Sequence, residues 1–182
     1  MISYDAQKAL LVDRPPTGNR WIHELKLDGF RMGVVARRKD VRIFSRRGTE
    51  YTDAYPEIVG AVRALDLTDA VIDGEVVVLD KRGLSSFEAL QRIGQDRQGL
   101  SYFAFDLLWI DGEDLRRLPL IERKERLRAL LADGPEILRF SEHFEDDGAK
   151  VFAKACELGA EGIISKLRDG RYQPGARSPD SW

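Results

Sequence analysis

The sequence predicts an α+β fold in which antiparallel β-sheets are flanked by helices. Strand-like segments follow one another closely with short polar turns between them, which favours hairpins over crossover connections. Amphipathic helical segments are interspersed without a regular β–α–β alternation. The 182 residues, 43% of them hydrophobic, fit one domain with a substantial core.

In the first half of the chain, period-2 alternation predicts strands and period-3.6 spacing predicts helices. The predicted strands are residues 20–26, 30–37, 41–45 and 70–79. In the second of these, Phe30, Met32, Val34 and Ala36 share one face. A helix is expected over residues 55–65, with Asp53 as its cap. A second helix is expected over residues 87–93, where Ser85 and Glu88 have capping-box spacing.

The second half of the chain continues the mixture of strands and helices. The predicted strands are residues 100–110, 137–140 and 162–166, and the predicted helices are residues 121–131 and 148–158. Gly159 stands where a helix C-terminus favours glycine. Alternating charges over residues 122–128 indicate a solvated helix face.

Composition excludes several classes of protein. No run is long enough for a transmembrane helix and no signal peptide is recognisable, so a cytoplasmic protein is expected. The net charge of −2 does not by itself indicate nucleic acid binding. The lone Cys156 is expected to pack as a small hydrophobic residue on a helix. His23 and His143 lack metal-site spacing, and no zinc motif, P-loop or dinucleotide fingerprint occurs.

Lys26 stands out chemically because it lies within a strand-forming, apolar stretch. Strand alternation places Glu24, Lys26 and Asp28 along one wall. Burial and nearby cations would both favour the neutral amine, which is a good nucleophile. Gly29 permits a tight turn or close approach to a ligand, and Arg31 could clamp a phosphate. Taken alone, however, K-x-D-G is more often an ordinary strand-and-turn signal.

Six segments in fixed order make the chain resemble the adenylation domain of ATP-dependent DNA ligases, within the covalent nucleotidyltransferases. They are ELKLDGFR with Lys26, FSRRG with Arg46, DGEVV with Glu75, FAFDLLWIDG with Phe105 and Asp106, EGIISK with Glu161 and Lys166, and YQPGARS with Arg177. The residues in these segments are most similar to those of the bacterial ligases of double-strand-break end joining. The resemblance covers nearly the whole chain and implies a nucleotidyltransferase (ATP-grasp-like ligase) fold.

This resemblance implies a role for each matching residue. Lys26 would attack the α-phosphate of ATP and carry AMP covalently. The implied ATP-binding residues are Glu24, Leu25, Arg31, Arg46, Glu75, Phe105, Lys166 and Arg177. Among them, Glu24 would read the adenine amino group, Glu75 would bind the ribose and Phe105 would stack on the base. By strand period, Phe105 shares a face with Phe103 and Leu107, and it could equally be a core residue. By the same period Asp106 points to the other face, where it could orient Arg31 or Lys166 or simply end the pairing of the strand.

The resemblance also implies a metal ion and a nucleic acid partner. Mg²⁺ or Mn²⁺ would be held by Glu161, with Asp28 as a further ligand. Arg46 and Arg47 would contact the 5′-phosphate of nicked double-stranded DNA. A monomer is expected, with other domains of a larger ligase or end-joining machinery as further partners.

The family pattern continues beyond YQPGARS into a second lysine motif and an oligonucleotide-binding barrel, the OB-fold. This sequence stops before both, so residues 1–182 are expected to be a bare adenylation domain that seals nicks poorly. Two other classes stay open: an RNA ligase or GTP-using capping enzyme, and a non-catalytic nucleotide- or DNA-binding module. The nucleotide that becomes attached to the protein would separate them.

Overall fold

The computed structural model describes residues 4–94 and 97–177, and these residues form eight strands and four α-helices. The strands are β1 (Trp21–Leu25), β2 (Phe30–Arg37), β3 (Asp40–Ser45), β4 (Asp69–Val78), β5 (Leu100–Ile110), β6 (Glu113–Asp114), β7 (Leu138–Phe140) and β8 (Ile163–Leu167). The helices are α1 (Pro56–Ala64), α2 (Phe87–Gln91), α3 (Leu120–Leu131) and α4 (Gly148–Leu158). No helix in the described part of the chain is long and apolar enough to cross a membrane.

Two sheets organise the fold and confirm the predicted α+β class. The larger sheet has the order β3-β2-β4-β5-β6, and every neighbouring pair in it is antiparallel. At the other end of β5, β7 pairs with it in parallel, which departs from the antiparallel prediction. That pairing follows from the crossover through α3, because parallel neighbours need a long connection. The second sheet is the antiparallel pair β1 and β8.

The main core lies on one face of the larger sheet, under α1 and α3. Met32, Val34 and Ala36 from β2 belong to it, as the alternation of that strand predicts. Phe30, at the exposed start of β2, does not; its ring packs edge-on against Phe87 instead, with centroids 5.0 Å apart. Helix α4 packs against β1 and β8, so each sheet has its own helical cover.

Strand β5 carries two bulges that break its alternation. Asp73 pairs with Asp106 and Gly74 with Ala104, so Phe105 is an extra residue without a partner. Leu108 is extra in the same way farther along the strand. A bulge turns the side chains that follow it toward the other face. The prediction that Phe105 and Leu107 share a face is therefore wrong, because Leu107 lies in the main core and Phe105 does not.

The helix ends differ in detail from the predicted caps. Asp53 lies in a short 3₁₀ turn, and α1 begins with Pro56 after Tyr55. The side chain that caps α2 is that of Ser86, which accepts a hydrogen bond from the Ala89 amide. Gly159 ends α4 in the left-handed conformation with φ of 81°, as predicted.

Two predictions about exposure are wrong. Helix α3 was expected to present residues 122–128 to solvent, but Arg123 and Lys124 are buried. Both find acidic partners on strands that the sequence places far away, and local charge alternation cannot reveal such partners. Cys156 lies on α4 as expected, but it is exposed because it does not belong to the face that packs on the small sheet.

Candidate active site

A cleft of about 270 Å³ is lined by residues from both sheets, and it brings together most of the predicted site residues. Those that line it are Glu24, Leu25, Lys26, Arg31, Arg46, Glu75, Phe105 and Lys166. They come from six separate places in the chain. The sequence gives only the order of these segments, and the fold brings them together.

Four predicted residues lie elsewhere. Asp28 and Glu161 line a smaller pocket of about 170 Å³, and Lys26 lines both pockets. Arg47 is exposed and is not among the residues that line the cleft. Arg177 pairs with Lys8 in a short parallel bridge and is not among them either, while Ser178 of the same segment lies outside the described residues.

Lys26 directly follows the last residue of β1. Its backbone amide donates to the carbonyl of Gly162 at 2.9 Å, and its amine is paired with the carboxylate of Glu161. The side chain is 40% exposed, so the amine remains accessible. Because β1 ends at Leu25, the alternation that groups Lys26 with Asp28 does not continue.

Asp28 connects the loop that follows β1 to the start of α2. Its carboxylate accepts a hydrogen bond from the amide of Phe87 at 3.0 Å, and its own amide donates to Ser85 Oγ at 2.8 Å. The neighbouring Gly29 is required by the backbone, since a Cβ there would lie 2.2 Å from the carbonyl oxygen of Val76. The close approach at this glycine is therefore made to strand β4, whereas the sequence suggests a tight turn or an approach to a ligand.

Arg31 is held by a buried acidic residue that sequence reasoning missed. Its guanidinium forms two hydrogen bonds with Asp73, at 3.1 and 2.7 Å. Asp73 is fully buried and also accepts from the hydroxyls of Tyr4 at 2.8 Å and Tyr172 at 2.7 Å. Burial lowers the pKa of Arg31, but the Asp73 carboxylate more than offsets this and raises it well above its usual value. The only sequence signal for Asp73 is an acidic residue within an apolar strand.

Phe105 lies at the cleft as a half-buried ring, turned there by the bulge in β5. The ammonium nitrogen of Lys166 is 4.3 Å from the ring centroid, and the central guanidinium carbon of Arg31 is 5.2 Å from it. Aromatic faces attract cations in this arrangement. A ring at the mouth of a cleft can stack on a flat ligand, and the stacking role of Phe105 stays a prediction.

Glu24 is a buried carboxylate with three partners. Its Oε1 accepts from Lys124 at 2.9 Å, and its Oε2 accepts from Lys166 at 3.0 Å and from Ser141 Oγ at 3.1 Å. Burial raises the pKa of Glu24, but the two lysines outweigh burial and lower it below its usual value. Glu24 is thus a fixed anion at the floor of the cleft.

Helix α3 supplies two buried cations that sequence reasoning missed. Arg123 forms two hydrogen bonds with Asp106, at 2.7 and 2.9 Å. Asp106 therefore binds Arg123, and not Arg31 or Lys166 as the sequence suggests. Lys124 reaches Glu24. One sequence signal could have located Lys124: it shares the i, i+4, i+7, i+11 stripe with Leu120, Leu127 and Leu131.

Glu75 faces the cleft opposite Arg31 in the β2–β4 pair. Burial raises the pKa of Glu75 to about 8, although Arg31 opposes the shift. Between about pH 4.5 and 8, Glu75 is therefore protonated in the folded protein and ionised in the unfolded chain. The free energy of unfolding consequently falls as the pH rises through this window.

Replacing Glu75 with glutamine is expected to remove that pH dependence. The melting temperature of the wild-type protein should fall relative to that of Glu75→Gln between pH 5 and pH 9, because only the wild type must ionise the buried carboxyl. Thermal unfolding followed by circular dichroism at both pH values measures the difference. A difference that stays constant across this range would contradict the raised pKa.

Comparison with known proteins gives three consistent matches. A family model described as "ATP dependent DNA ligase domain" matches residues 8–182. The multifunctional non-homologous end joining protein LigD of Pseudomonas aeruginosa is 40% identical over 177 residues, covering 96% of this chain and 21% of that protein. The LigD protein of Mycobacterium tuberculosis is 39% identical over 164 residues, covering 90% of this chain and 21% of that protein.

Solved structures agree with these sequence matches. The crystal structure of the ligase domain from M. tuberculosis LigD superposes with a TM-score of 0.86 at 34% identity, covering 98% of this chain and 58% of that one. A mycobacterial DNA ligase D complexed with ATP and MES superposes with a TM-score of 0.83 at 35% identity, covering 96% of this chain and 58% of that one. The chain spans about a fifth of the length of these two LigD relatives.

Proposed function

The chain belongs to the family of ATP-dependent DNA ligase domains, and on this basis we propose that it is an adenylation domain in which Lys26 becomes covalently linked to AMP. The observation that carries the proposal is the cleft itself. An accessible lysine amine, a half-buried aromatic ring and several cations converge there from distant parts of the chain.

The proposed reaction transfers an adenylyl group from ATP to Lys26. The amine nitrogen loses a proton and forms a bond to the α-phosphorus, while the bond from that phosphorus to the pyrophosphate oxygen breaks. The Glu161 carboxylate contacts the amine and would orient it, and the proton passes to solvent. Arg46 and Lys166 line the same cleft and would neutralise the charge that develops on the phosphates.

A divalent cation is part of the proposal, with Mg²⁺ or Mn²⁺ as the candidates. In the described residues, no group of three His, Cys, Asp or Glu side chains could hold a metal ion. This fits Mg²⁺, which keeps several waters and takes few protein ligands beside substrate phosphates. Glu161 is the proposed protein ligand, while the carboxylate of Asp28 is already bonded to the Phe87 amide. The cation would supply further charge neutralisation at the phosphates.

The wider activity is also a proposal. The LigD relatives are named as end-joining proteins, and by similarity we propose that the activated AMP serves to seal nicked double-stranded DNA in the cytoplasm. Arg46, at the cleft, and Arg47, exposed beside it, are proposed to contact the 5′-phosphate through a salt-sensitive attraction. Mg²⁺-dependent attachment of AMP to the protein is the first step to establish.

A mass spectrum of the protein after incubation with ATP and Mg²⁺ tests this proposal. We expect an added AMP that pyrophosphate removes, because the reaction that forms the adduct is reversible. A parallel incubation with GTP separates an ATP-dependent ligase from a capping enzyme. If neither nucleotide becomes attached to the protein, the proposed function is wrong.

Replacing Phe105 with alanine is expected to weaken nucleotide binding. Stacking of a base on an aromatic ring contributes roughly 1–3 kcal/mol, so Phe105→Ala should raise the Kd for α,β-methylene ATP by about fivefold or more. Calorimetry with this unreactive analogue measures the affinity without forming the adduct. Phe103→Ala is the matched control, because Phe103 is a half-buried ring two residues away that does not line the cleft. Equal losses in both variants would place Phe105 in a structural role.

A further inference from the structure

Lys166 makes two contacts in the cleft that a stacked nucleotide base would disturb. Its ammonium nitrogen is bonded to Glu24 Oε2 at 3.0 Å and lies 4.3 Å from the centroid of the Phe105 ring. A base stacked on this side of the ring and the ammonium group cannot occupy the same space. Displaced from the ring by a base, Lys166 would turn toward the phosphates and leave Glu24.

Release of Lys166 leaves a buried carboxylate in need of another cation. Glu24 is only 3% exposed, and an unpaired charge at such a site is strongly destabilising. His143 does not supply the charge, because burial and the neighbouring Lys124 lower its pKa and favour the neutral ring. Ser141, the third partner of Glu24, provides a hydroxyl but no charge.

Lys124 is the cation that cannot leave. It is fully buried, and its ammonium group donates to Glu24 Oε1 at 2.9 Å and to the Ser141 carbonyl at 2.9 Å, with a longer contact to the Phe105 carbonyl at 3.5 Å. The ring of Phe140 lies beside it, with its centroid 4.5 Å away. These contacts fix Lys124 between α3, β1 and the bulged part of β5.

We propose that Lys124 is a positioning residue that acts as the permanent counterion of Glu24, so that Lys166 is free to leave Glu24 for the nucleotide. This inference rests on the proposed function, because it assigns Lys166 to the phosphates of ATP. Lys124 is not among the residues that line the cleft, so it acts through Glu24. Without Lys124, Lys166 would be the sole counterion of Glu24 and would be retained there.

Rates of self-adenylation in single turnovers at saturating ATP test the proposal. We expect Lys124→Met to slow the reaction by about tenfold or more, the scale of one hydrogen bond between charged groups. In a Glu24→Gln background there is no carboxylate to neutralise, so adding Lys124→Met should change the rate less than about threefold. Arg126→Met is the surface control, since Arg126 is a half-exposed cation on the same helix, and it should leave the rate unchanged.

The two backgrounds distinguish positioning from a merely structural role. A structural lysine would change the melting temperature and the folded fraction, but not the rate per folded molecule. If Lys124→Met does not fold, the comparison of Glu24→Gln with the double variant can still overturn the proposal, and Lys124→Arg, which keeps the charge at Glu24, should retain the wild-type rate to within about threefold in support of it. A tenfold loss in that background, or an unchanged rate in Lys124→Met, would overturn the proposal. Absence of any adduct in the wild-type protein would instead contradict the proposed function.

Discussion

The variant Lys26→Ala is expected to form no AMP adduct under conditions in which the wild-type protein is fully labelled. The reason is chemical, because the adduct is a bond from phosphorus to the side-chain nitrogen and alanine has none. Incubation with α-labelled ATP and Mg²⁺, followed by denaturing electrophoresis, measures the adduct. In the wild type the label should be lost in acid, since a P–N bond hydrolyses once its nitrogen is protonated.

Two further variants make the Lys26 experiment specific. Lys26→Arg should also form no adduct, because a guanidinium stays protonated at any working pH. Lys154→Ala is the matched control: Lys154 is an exposed lysine on α4, paired with Glu157, and its removal should leave the labelling unchanged. Label retained by Lys26→Ala would show that another residue is the nucleophile.

The variant Asp73→Ala is expected to lower the free energy of unfolding by about 3 kcal/mol or more, the scale for breaking a buried ion pair. Asp73 is fully buried, and its removal takes away the acceptor that the Arg31 guanidinium shares with two tyrosine hydroxyls. Urea denaturation followed by circular dichroism measures the change.

Tyr172→Phe provides the comparison for Asp73→Ala. It removes one hydroxyl, which contacts Asp73, the Asp5 carbonyl and the Gln7 amide, but it keeps the ion pair. It should therefore cost about 1–2 kcal/mol, less than Asp73→Ala. A loss below about 1 kcal/mol in Asp73→Ala itself would show that the ion pair contributes little to stability.

The sequence by itself determined the local structure well. Strands such as β2 and β5 and helix α4 have the bounds that alternation and capping residues predict, because these signals arise between residues close in the chain. The ordered motifs also identified eight residues that line one cleft, although nothing in local patterning indicates that they meet. That part of the prediction came from resemblance, which carries tertiary information from other proteins.

Only the tertiary structure decided which charges are buried and what they bind. Residues 122–128 look like a solvated face because each charge has a local partner of opposite sign, yet Lys124 binds Glu24, one hundred residues away. Asp73 likewise depends on Tyr4 and Tyr172, from the two ends of the described chain.

The bulge at Phe105 shows the same limit in the backbone. It arises where β5 pairs with β4, and the register of that pairing is a property of two strands together. Burial and register are set by contacts between distant segments. Periodicity and spacing report only on neighbours along the chain, so they cannot contain this information.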